Sequence, residues 1–222
     1  MELAQERDCL IVDMGGTTTD IAFVKDGLPV KATDGIHIGR WRTFVRGVFI
    51  ETFGLGGDSA VRFDRHRKLT LGPERIMPLC TAASRWPVVA ERLARLVETV
   101  KRHSEPLHEF FCPVLDISSD PRYTDAERAF CRALANGPLI LAEAGAAAGQ
   151  DAYSINMRRL EREGVVIRAG LTPTDVMHIR GDFNRYDKRA SVLGAEFMAG
   201  CLDMTMDELC EAVYDKAKKM LY

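Results

Sequence analysis

Two short apolar runs separated by glycines and threonines constrain this chain more than any other feature. The first run, Cys9–Val12, ends in Asp13, and the second, Ile21–Val24, follows Asp20. Short runs rich in branched residues and broken by a glycine turn predict two paired strands. We therefore expect Cys9–Val12 to be a buried central strand, paired antiparallel with Ile21–Val24, and the turn Gly15–Thr18 to be exposed.

The composition of this turn is typical of an anion site. Gly15 and Gly16 let backbone N–H groups approach a ligand closely, and successive N–H groups form a concavity suited to phosphate. The hydroxyls of Thr17 and Thr18 can add donors. Asp13 and Asp20 would repel a phosphate, so a cation must lie between, and Mg²⁺ is the expected one. The alternative is an ordinary tight hairpin with polar turn residues.

The stretch Asp13–Asp20 resembles the phosphate-binding hairpin of the actin and sugar-kinase ATPase superfamily. Within it, the stretch is most similar to the second such motif of the hydantoinase A/oxoprolinase family. Gly54–Ser59, followed by a hairpin and Leu71–Glu74, also resembles that family, and so does the turn Leu171–Asp175. The similarity lapses after Cys80. Glycines 56 and 57 allow a second interpretation, in which they form only a structural turn.

The resemblance implies an α/β fold, namely a ribonuclease H-like (actin-like ATPase) lobe. We assign residues 1–120 and 168–222 to this lobe, and residues 121–167 to a helical, winged-helix-like insert. Complete enzymes of this type have two lobes with ATP between them. One phosphate hairpin in 222 residues therefore predicts a single lobe, the second, of a longer protein.

The implied function is ATP-dependent opening of a cyclic amide, with ATP and Mg²⁺ as cofactors. In this interpretation Asp13 is the catalytic residue and a metal ligand, and Asp20 is a weaker candidate for cofactor and metal binding. The phosphates would lie against the turn residues Gly15, Gly16, Thr17 and Thr18. The partner would be the other lobe of the parent chain or a partner subunit, and we expect the isolated chain to be inactive.

Other functions stay open at this point. Related branches of the family carboxylate ketones. The lobe could also belong to a kinase-like or activator ATPase, or it could be a non-catalytic regulatory or interaction module. Arginines 158, 159, 162 and 168 give the insert a basic face that could contact DNA, but Glu161 and Glu163 dilute it, and we expect no nucleic-acid partner.

Composition supports a cytoplasmic protein. Charged residues make up 28% of the chain and the net charge is −2, so nothing indicates an acidic partner. No apolar run approaches the roughly 20 residues of a membrane span, and the polar start does not look like a secretory signal. The six cysteines have no metal-type spacing, which predicts free, buried thiols.

Helical periodicity and capping signals predict the main helices. Leu93, Leu96, Val97 and Val100 recur at helical spacing, which predicts one helix over Ser84–His103. Capping boxes predict further helix starts at Thr124–Glu127 and Thr205–Glu208, the latter opening a last helix to about Leu221.

Overall fold

The chain has a mixed α/β architecture, as expected. The computed structural model describes residues 6–35, 37–38, 41–99, 108–149 and 155–221, and within these ranges it contains fourteen strands and eight helices. The chain divides into two compact units, Met1–Gly57 and Asp58–Met220. No helix of the described part is long and apolar enough to cross a membrane.

The first unit is built from short strands around a central antiparallel hairpin. Strand β2 pairs with β1 along one side, and with β3 and β8 on the other. The strands are β1 (Cys9–Met14), β2 (Thr19–Lys25), β3 (Leu28–Pro29), β4 (Lys31–Ala32), β5 (His37–Ile38), β6 (Trp41–Arg42), β7 (Gly47–Val48) and β8 (Ile50–Phe53). Two further antiparallel pairs, β4–β7 and β5–β6, complete this unit.

The predicted strand pairing is confirmed, but the predicted burial of β1 is wrong. The β1–β2 register runs from Cys9 opposite Val24 to Met14 opposite Thr19. Strand β1 is an edge strand whose only partner among the described residues is β2. Its side chains are exposed on both faces, with Leu10 53% and Val12 52% exposed on one face and Ile11 42% exposed on the other. The apolar run predicted a strand correctly, but it does not specify how many neighbours cover that strand.

The second unit combines a hairpin, a four-stranded sheet and the helices. The hairpin is formed by β9 (Ser59–Phe63) and β10 (Leu69–Arg75). The sheet has the order β11-β14-β12-β13, in which β11 runs parallel to β14 and the other pairs are antiparallel. Its strands are β11 (Met77–Pro78), β12 (Phe110–Pro113), β13 (Leu139–Ile140) and β14 (Val166–Gly170).

The helices pack closely around this sheet. A Cβ atom at Gly194 would lie only 2.2 Å from Leu79 Cδ1. The absence of a side chain at this position therefore lets α7 pack close to α1. The helices are α1 (Leu79–Arg85), α2 (Val88–Thr99), α3 (Asp125–Leu134), α4 (Leu141–Ala148), α5 (Met157–Arg162), α6 (Pro173–Arg180), α7 (Lys188–Leu202) and α8 (Met206–Leu221).

The predicted single helix over Ser84–His103 is two helices. Helix α1 ends at Arg85, and Trp86 has extended backbone angles, φ −131° and ψ 92°. The cause is Pro87, which disfavours a helical conformation at the residue before it. Residues 100–107 lie outside the described part of the chain.

Residues 121–167 hold α3, β13, α4 and α5. Strand β13 pairs with β12, so this segment adds a strand to the sheet. Its helices share one apolar cluster with the strands β12 and β14, formed by Phe111, Ile117, Tyr123, Phe130, Cys131, Leu134, Leu139, Ala144, Ile155, Leu160, Val165 and Val166. The division into a lobe and a winged-helix-like insert stays a prediction.

All six cysteines are free thiols, as predicted. Five are buried, and only Cys9 is partly exposed. Burial raises the pKa of the Cys112 thiol to about 12 and that of Cys131 to about 11. These buried thiols therefore stay protonated and act as small apolar side chains.

Candidate functional site

The turn between β1 and β2 presents backbone donors to solvent. Gly15 N–H closes the turn by donating to Thr18 O over 2.9 Å. The N–H groups of Gly16, Thr17 and Thr18 have no acceptor among the described residues. Gly16 and Thr17 are exposed and Thr18 is half-buried. Three adjacent N–H donors on a solvent-facing turn are available to bind an anion such as phosphate.

The two predicted carboxylates lie side by side on one face of the sheet. Asp13 and Asp20 are register partners across β1 and β2, and cross-strand partners point to the same face. Asp20 is held by strand β8, because Thr52 lies opposite it and donates from Oγ1 to Asp20 Oδ1 over 2.6 Å. Thr18 Oγ1 lies 3.5 Å from the other oxygen of Asp20.

A shallow groove of about 530 Å³ runs along this face. The groove is polar at the end near the turn, where the two carboxylates and a threonine hydroxyl lie, and apolar at the other end. Its lining residues all belong to the first unit: Ile11, Asp13, Asp20, Ala22, Val48, Ile50 and Thr52. The carboxylates thus form one wall of a space that a small ligand could enter beside the turn.

The second glycine turn, Gly54–Gly57, contacts the backbone of the first turn, Gly15–Thr18. This role was not predicted from the sequence. Gly57 N–H donates to Gly15 O over 3.0 Å. A side chain at Gly56 would lie 2.5 Å from the Gly16 carbonyl carbon and 2.6 Å from Thr17 N, which no real side chain tolerates. Gly56 is therefore required for close approach of the two backbones. The clustered glycines at 54, 56 and 57 were the available signal.

Thr19, the third threonine of the motif, is structural. Its side chain is buried, and its hydroxyl donates to Leu55 O over 2.8 Å. This hydrogen bond ties the start of β2 to the second glycine turn. Thr19 is thus unavailable to a ligand, in contrast to the exposed Thr17.

The donor set fits Mg²⁺ only in part. No group of three or more His, Cys, Asp or Glu side chains in the described residues could hold a metal ion. Asp13 and Asp20 supply two carboxylates on one face. Mg²⁺ commonly binds through one or two carboxylates and completes its shell with waters and phosphate oxygens. The pair is therefore compatible with a magnesium ion that arrives together with a phosphate ligand.

A second cluster, Cys80, His178 and Asp175, has the residue types of a nucleophilic triad but not its chemistry. Cys80 Sγ lies 3.7 Å from His178 Nδ1. His178 Nε2 accepts the N–H of Tyr186, so Nδ1 carries the proton and donates to Thr174 O over 2.8 Å. The imidazole has no free acceptor for a thiol proton. Burial, with the nearby Asp175 carboxylate, raises the pKa of Cys80 far above its usual range.

Comparison with known proteins gives a family for the first third of the chain. The hydantoinase/oxoprolinase family model matches residues 1–78, which contain the hairpin and both glycine turns, so the predicted resemblance is confirmed over this segment. No curated protein matches the chain. A solved structure, nucleotide-free acetone carboxylase from work on the mechanism of ATP-dependent acetone carboxylation, is 14% identical with a TM-score of 0.46. The alignment covers 94% of this chain and 20% of that one, and a likeness of this size does not establish the fold.

Proposed function

Because residues 1–78 match the hydantoinase/oxoprolinase family, we propose that this chain is one lobe of an ATP-dependent hydrolase of that type. The lobe would have the ribonuclease H-like, actin-like ATPase fold and work in the cytoplasm. The observation that supports this best is the pairing of Asp13 with Asp20 on one sheet face, directly beside a turn with three free N–H donors.

The proposed division of labour follows the geometry of the hairpin. The N–H groups of Gly16, Thr17 and Thr18 donate to phosphate oxygens of ATP, and the Thr17 hydroxyl adds a donor. Asp13, at the end of β1, would hold Mg²⁺, and the ion would supply positive charge that neutralises the carboxylate and the phosphates. Asp20, held by Thr52, assists as a second ligand or orients a bound water. Such sites accelerate phosphoryl transfer by positioning and charge neutralisation.

The proposed substrate is a small cyclic amide. ATP would transfer its terminal phosphoryl group to the amide oxygen and leave as ADP; water would then add to the activated carbon, the ring C–N bond would break, and phosphate would be released. This chain contributes only one side of such a site, so the other lobe of the parent chain or a partner subunit would complete it. We therefore expect ATP hydrolysis by these 222 residues alone to stay near background.

The decisive experiment is Asp13→Asn in the full-length parent protein, with ATP turnover as the readout. We expect turnover to fall by at least about 100-fold, because loss of a metal-binding carboxylate removes several kcal/mol of charge stabilisation. Glu51→Gln is the matched control, because Glu51 is an exposed carboxylate of β8 whose register partner is Ile21 and it does not line the groove. Turnover by the Asp13→Asn parent at the wild-type rate would exclude this mechanism.

A second variant tests the turn without touching a carboxylate. Gly56→Ala should displace the backbone of Gly16 and weaken magnesium–nucleotide binding at the hairpin, measured by calorimetry, since the added carbon would overlap Gly16. Gly54→Ala is its control, since a side chain there would meet nothing within 4 Å. Equal nucleotide affinity in both variants would show that the nucleotide phosphates do not lie at this turn.

A further inference from the structure

A cleft in the second unit concentrates arginines. It measures about 630 Å³, a size typical of small-molecule sites. Five arginines, two glutamates and three apolar residues line it. We call it the arginine cleft, and its lining residues are Arg62, Glu74, Arg75, Ile76, Arg158, Glu161, Arg162, Val166, Ile167 and Arg168.

Two inner arginines of the cleft are fixed in place by one buried carboxylate. Glu109 is 3% exposed. Its Oε1 accepts from Arg62 Nε over 2.5 Å, and its Oε2 accepts from Arg168 Nη1 over 3.1 Å. Glu161 holds the other edge of Arg168, through Nε at 2.8 Å and Nη2 at 3.1 Å. This network neutralises the inner pair and sets the orientation of both guanidinium groups.

The outer arginines are not neutralised in the same way. Arg158 on α5 is exposed and makes no ion pair with a described residue. Arg162, one turn later, is 79% exposed and reaches Glu163 only at 4.0 Å. Arg75 on β10 pairs with Asp58 over 3.0 Å and stays 61% exposed. The mouth of the cleft therefore carries two guanidinium groups, those of Arg158 and Arg162, that have no ion pair shorter than 4.0 Å with a described residue and can take a carboxylate or phosphate.

An apolar cleft of about 560 Å³ adjoins the arginine cleft. The two share Arg75, Ile76 and Ile167 as a common wall. Phe183 and Tyr186 line the second cleft, each 37% exposed, and their rings lie 6.2 Å apart in an edge-to-face arrangement. Exposed aromatic side chains beside a set of cations favour a ligand with an anionic end and a planar or apolar body.

We propose that these adjoining clefts bind a small organic anion. Its carboxylate or phosphate group lies between the outer arginines 158 and 162, and its planar or apolar part packs against Phe183 and Tyr186. All of these residues belong to the second unit, so the site goes beyond the nucleotide and metal functions proposed for the hairpin.

A nucleic acid is a poorer fit to the same arginines. Glu74 and Glu161 line the cleft and would repel a run of phosphates. The chain as a whole carries a net charge of −2, which opposes the counterion-driven binding of a polyanion. A single anionic group needs only the two or three donors at the mouth.

The test is calorimetric titration of the 222-residue chain with inorganic phosphate, phenyl phosphate and benzoate. We expect phenyl phosphate to bind at least about tenfold more tightly than inorganic phosphate, because the ring adds apolar contact. Benzoate carries a carboxylate in place of the phosphate of phenyl phosphate. The ligand of these two that binds more tightly therefore shows which anionic group the arginines prefer.

Two variants locate the binding. The double variant Arg158→Gln/Arg162→Gln should weaken the tighter aryl ligand by at least about tenfold, because both charge-assisted hydrogen bonds are lost. The double variant Arg95→Gln/Arg189→Gln is the control, since both arginines are exposed, lie outside the cleft and carry the same total charge. Phe183→Ala should remove the advantage of phenyl phosphate over inorganic phosphate.

Two results would overturn the proposal. One is equal affinity for the aryl ligand in the wild type and in the Arg158→Gln/Arg162→Gln variant, with circular dichroism showing that both are folded. The other is tighter binding of a 20-base-pair DNA duplex than of any of the three anions, with affinity falling steeply as salt rises. The second result would assign the arginines to nucleic acid instead.

Discussion

At the scale of single residues, His108 has the least favourable surroundings in the described part of the chain. It is fully buried, and neither ring nitrogen has a hydrogen-bond partner there. Its ring instead packs against Phe197, with centroids 5.7 Å apart. Burial lowers its pKa to about 4, although the adjacent Glu109 carboxylate acts in the opposite direction. His108 is therefore neutral in the folded protein at ordinary pH.

This neutrality predicts a pH-dependent loss of stability. The unfolded histidine binds a proton below its ordinary pKa of about 6.5, whereas the folded one does so only near pH 4. Stability should therefore fall as pH drops from about 6.5 to 4, by up to roughly 3 kcal/mol from this residue. In urea unfolding at pH 7 and pH 5, His108→Phe should lose much less stability than the wild type. An identical loss in both proteins would show that His108 titrates normally.

At the scale of elements, Asp175 joins three helices. It is the third residue of α6 and forms a capping box with Thr172, whose N–H donates to Asp175 over 3.0 Å. The same carboxylate accepts the N–H groups of Leu79 and Cys80 at the start of α1, at 3.1 and 2.8 Å, and the hydroxyl of Ser191 on α7. Burial raises the pKa of Asp175, and these donors oppose the rise.

We expect Asp175→Asn to lower the free energy of unfolding by about 3 kcal/mol or more. An amide accepts at one atom only, so buried N–H groups would be left unsatisfied. Glu208→Gln is a matched comparison, because Glu208 forms the same type of capping box with Thr205 at the exposed start of α8. That change should lower the free energy of unfolding far less, because the groups it affects are exposed to water. Equal losses in chemical denaturation would mean that Asp175 serves only as a local cap.

The elements show which parts of the fold local sequence can predict. The capping boxes at Thr124 and Thr205 were predicted from four residues each, and both form. The break at Trp86 was missed because the helix was predicted from periodic residues that all follow Pro87, Leu93 to Val100, and was extended back to Ser84 across the proline. The exposure of β1 was missed for another reason: what packs against the two faces of a strand is set by the tertiary structure and cannot be read from the residues of the strand itself.

At the scale of the whole molecule, the apolar core is very unevenly distributed. Of the buried apolar residues in the described part of the chain, only Val24 and Leu55 lie in the first unit. The rest belong to the second unit, including large buried side chains such as Phe110, Phe130 and Leu93. The first unit instead leaves much of its apolar surface open, with Phe44 99% exposed.

This asymmetry predicts that the two units differ in their ability to fold independently. A fragment of residues 58–222 should fold and unfold cooperatively on its own, because nearly all of the buried apolar surface lies within it. A fragment of residues 1–57 should not. Thermal melting by circular dichroism of each fragment gives the answer. A cooperative transition in the short fragment, or its absence in the long one, would contradict this expectation.

The candidate sites differ in how well they could be predicted from sequence, because their residues differ in how far apart they lie along the chain. The hairpin is local: only a short turn lies between Asp13 and Asp20, so the pairing of the two strands could be predicted from adjacent sequence. The support from Gly56 comes from about 40 residues away, and the arginine cleft is assembled from β9, β10, α5 and β14. Its key carboxylate, Glu109, meets Arg62 and Arg168 across 47 and 59 residues, which no spacing rule anticipates.

The uneven burial of the thiols allows one cysteine of the natural chain to be labelled selectively. Cys9 is the one partly exposed cysteine and lies at the open end of the hairpin, opposite Val24. The five others are buried, and protonated thiols react slowly with maleimides. A fluorophore can thus be attached at a single position without mutagenesis, on the same strand as Asp13 and four residues before it. Its emission would report on changes in the surroundings of β1, the strand that carries Asp13.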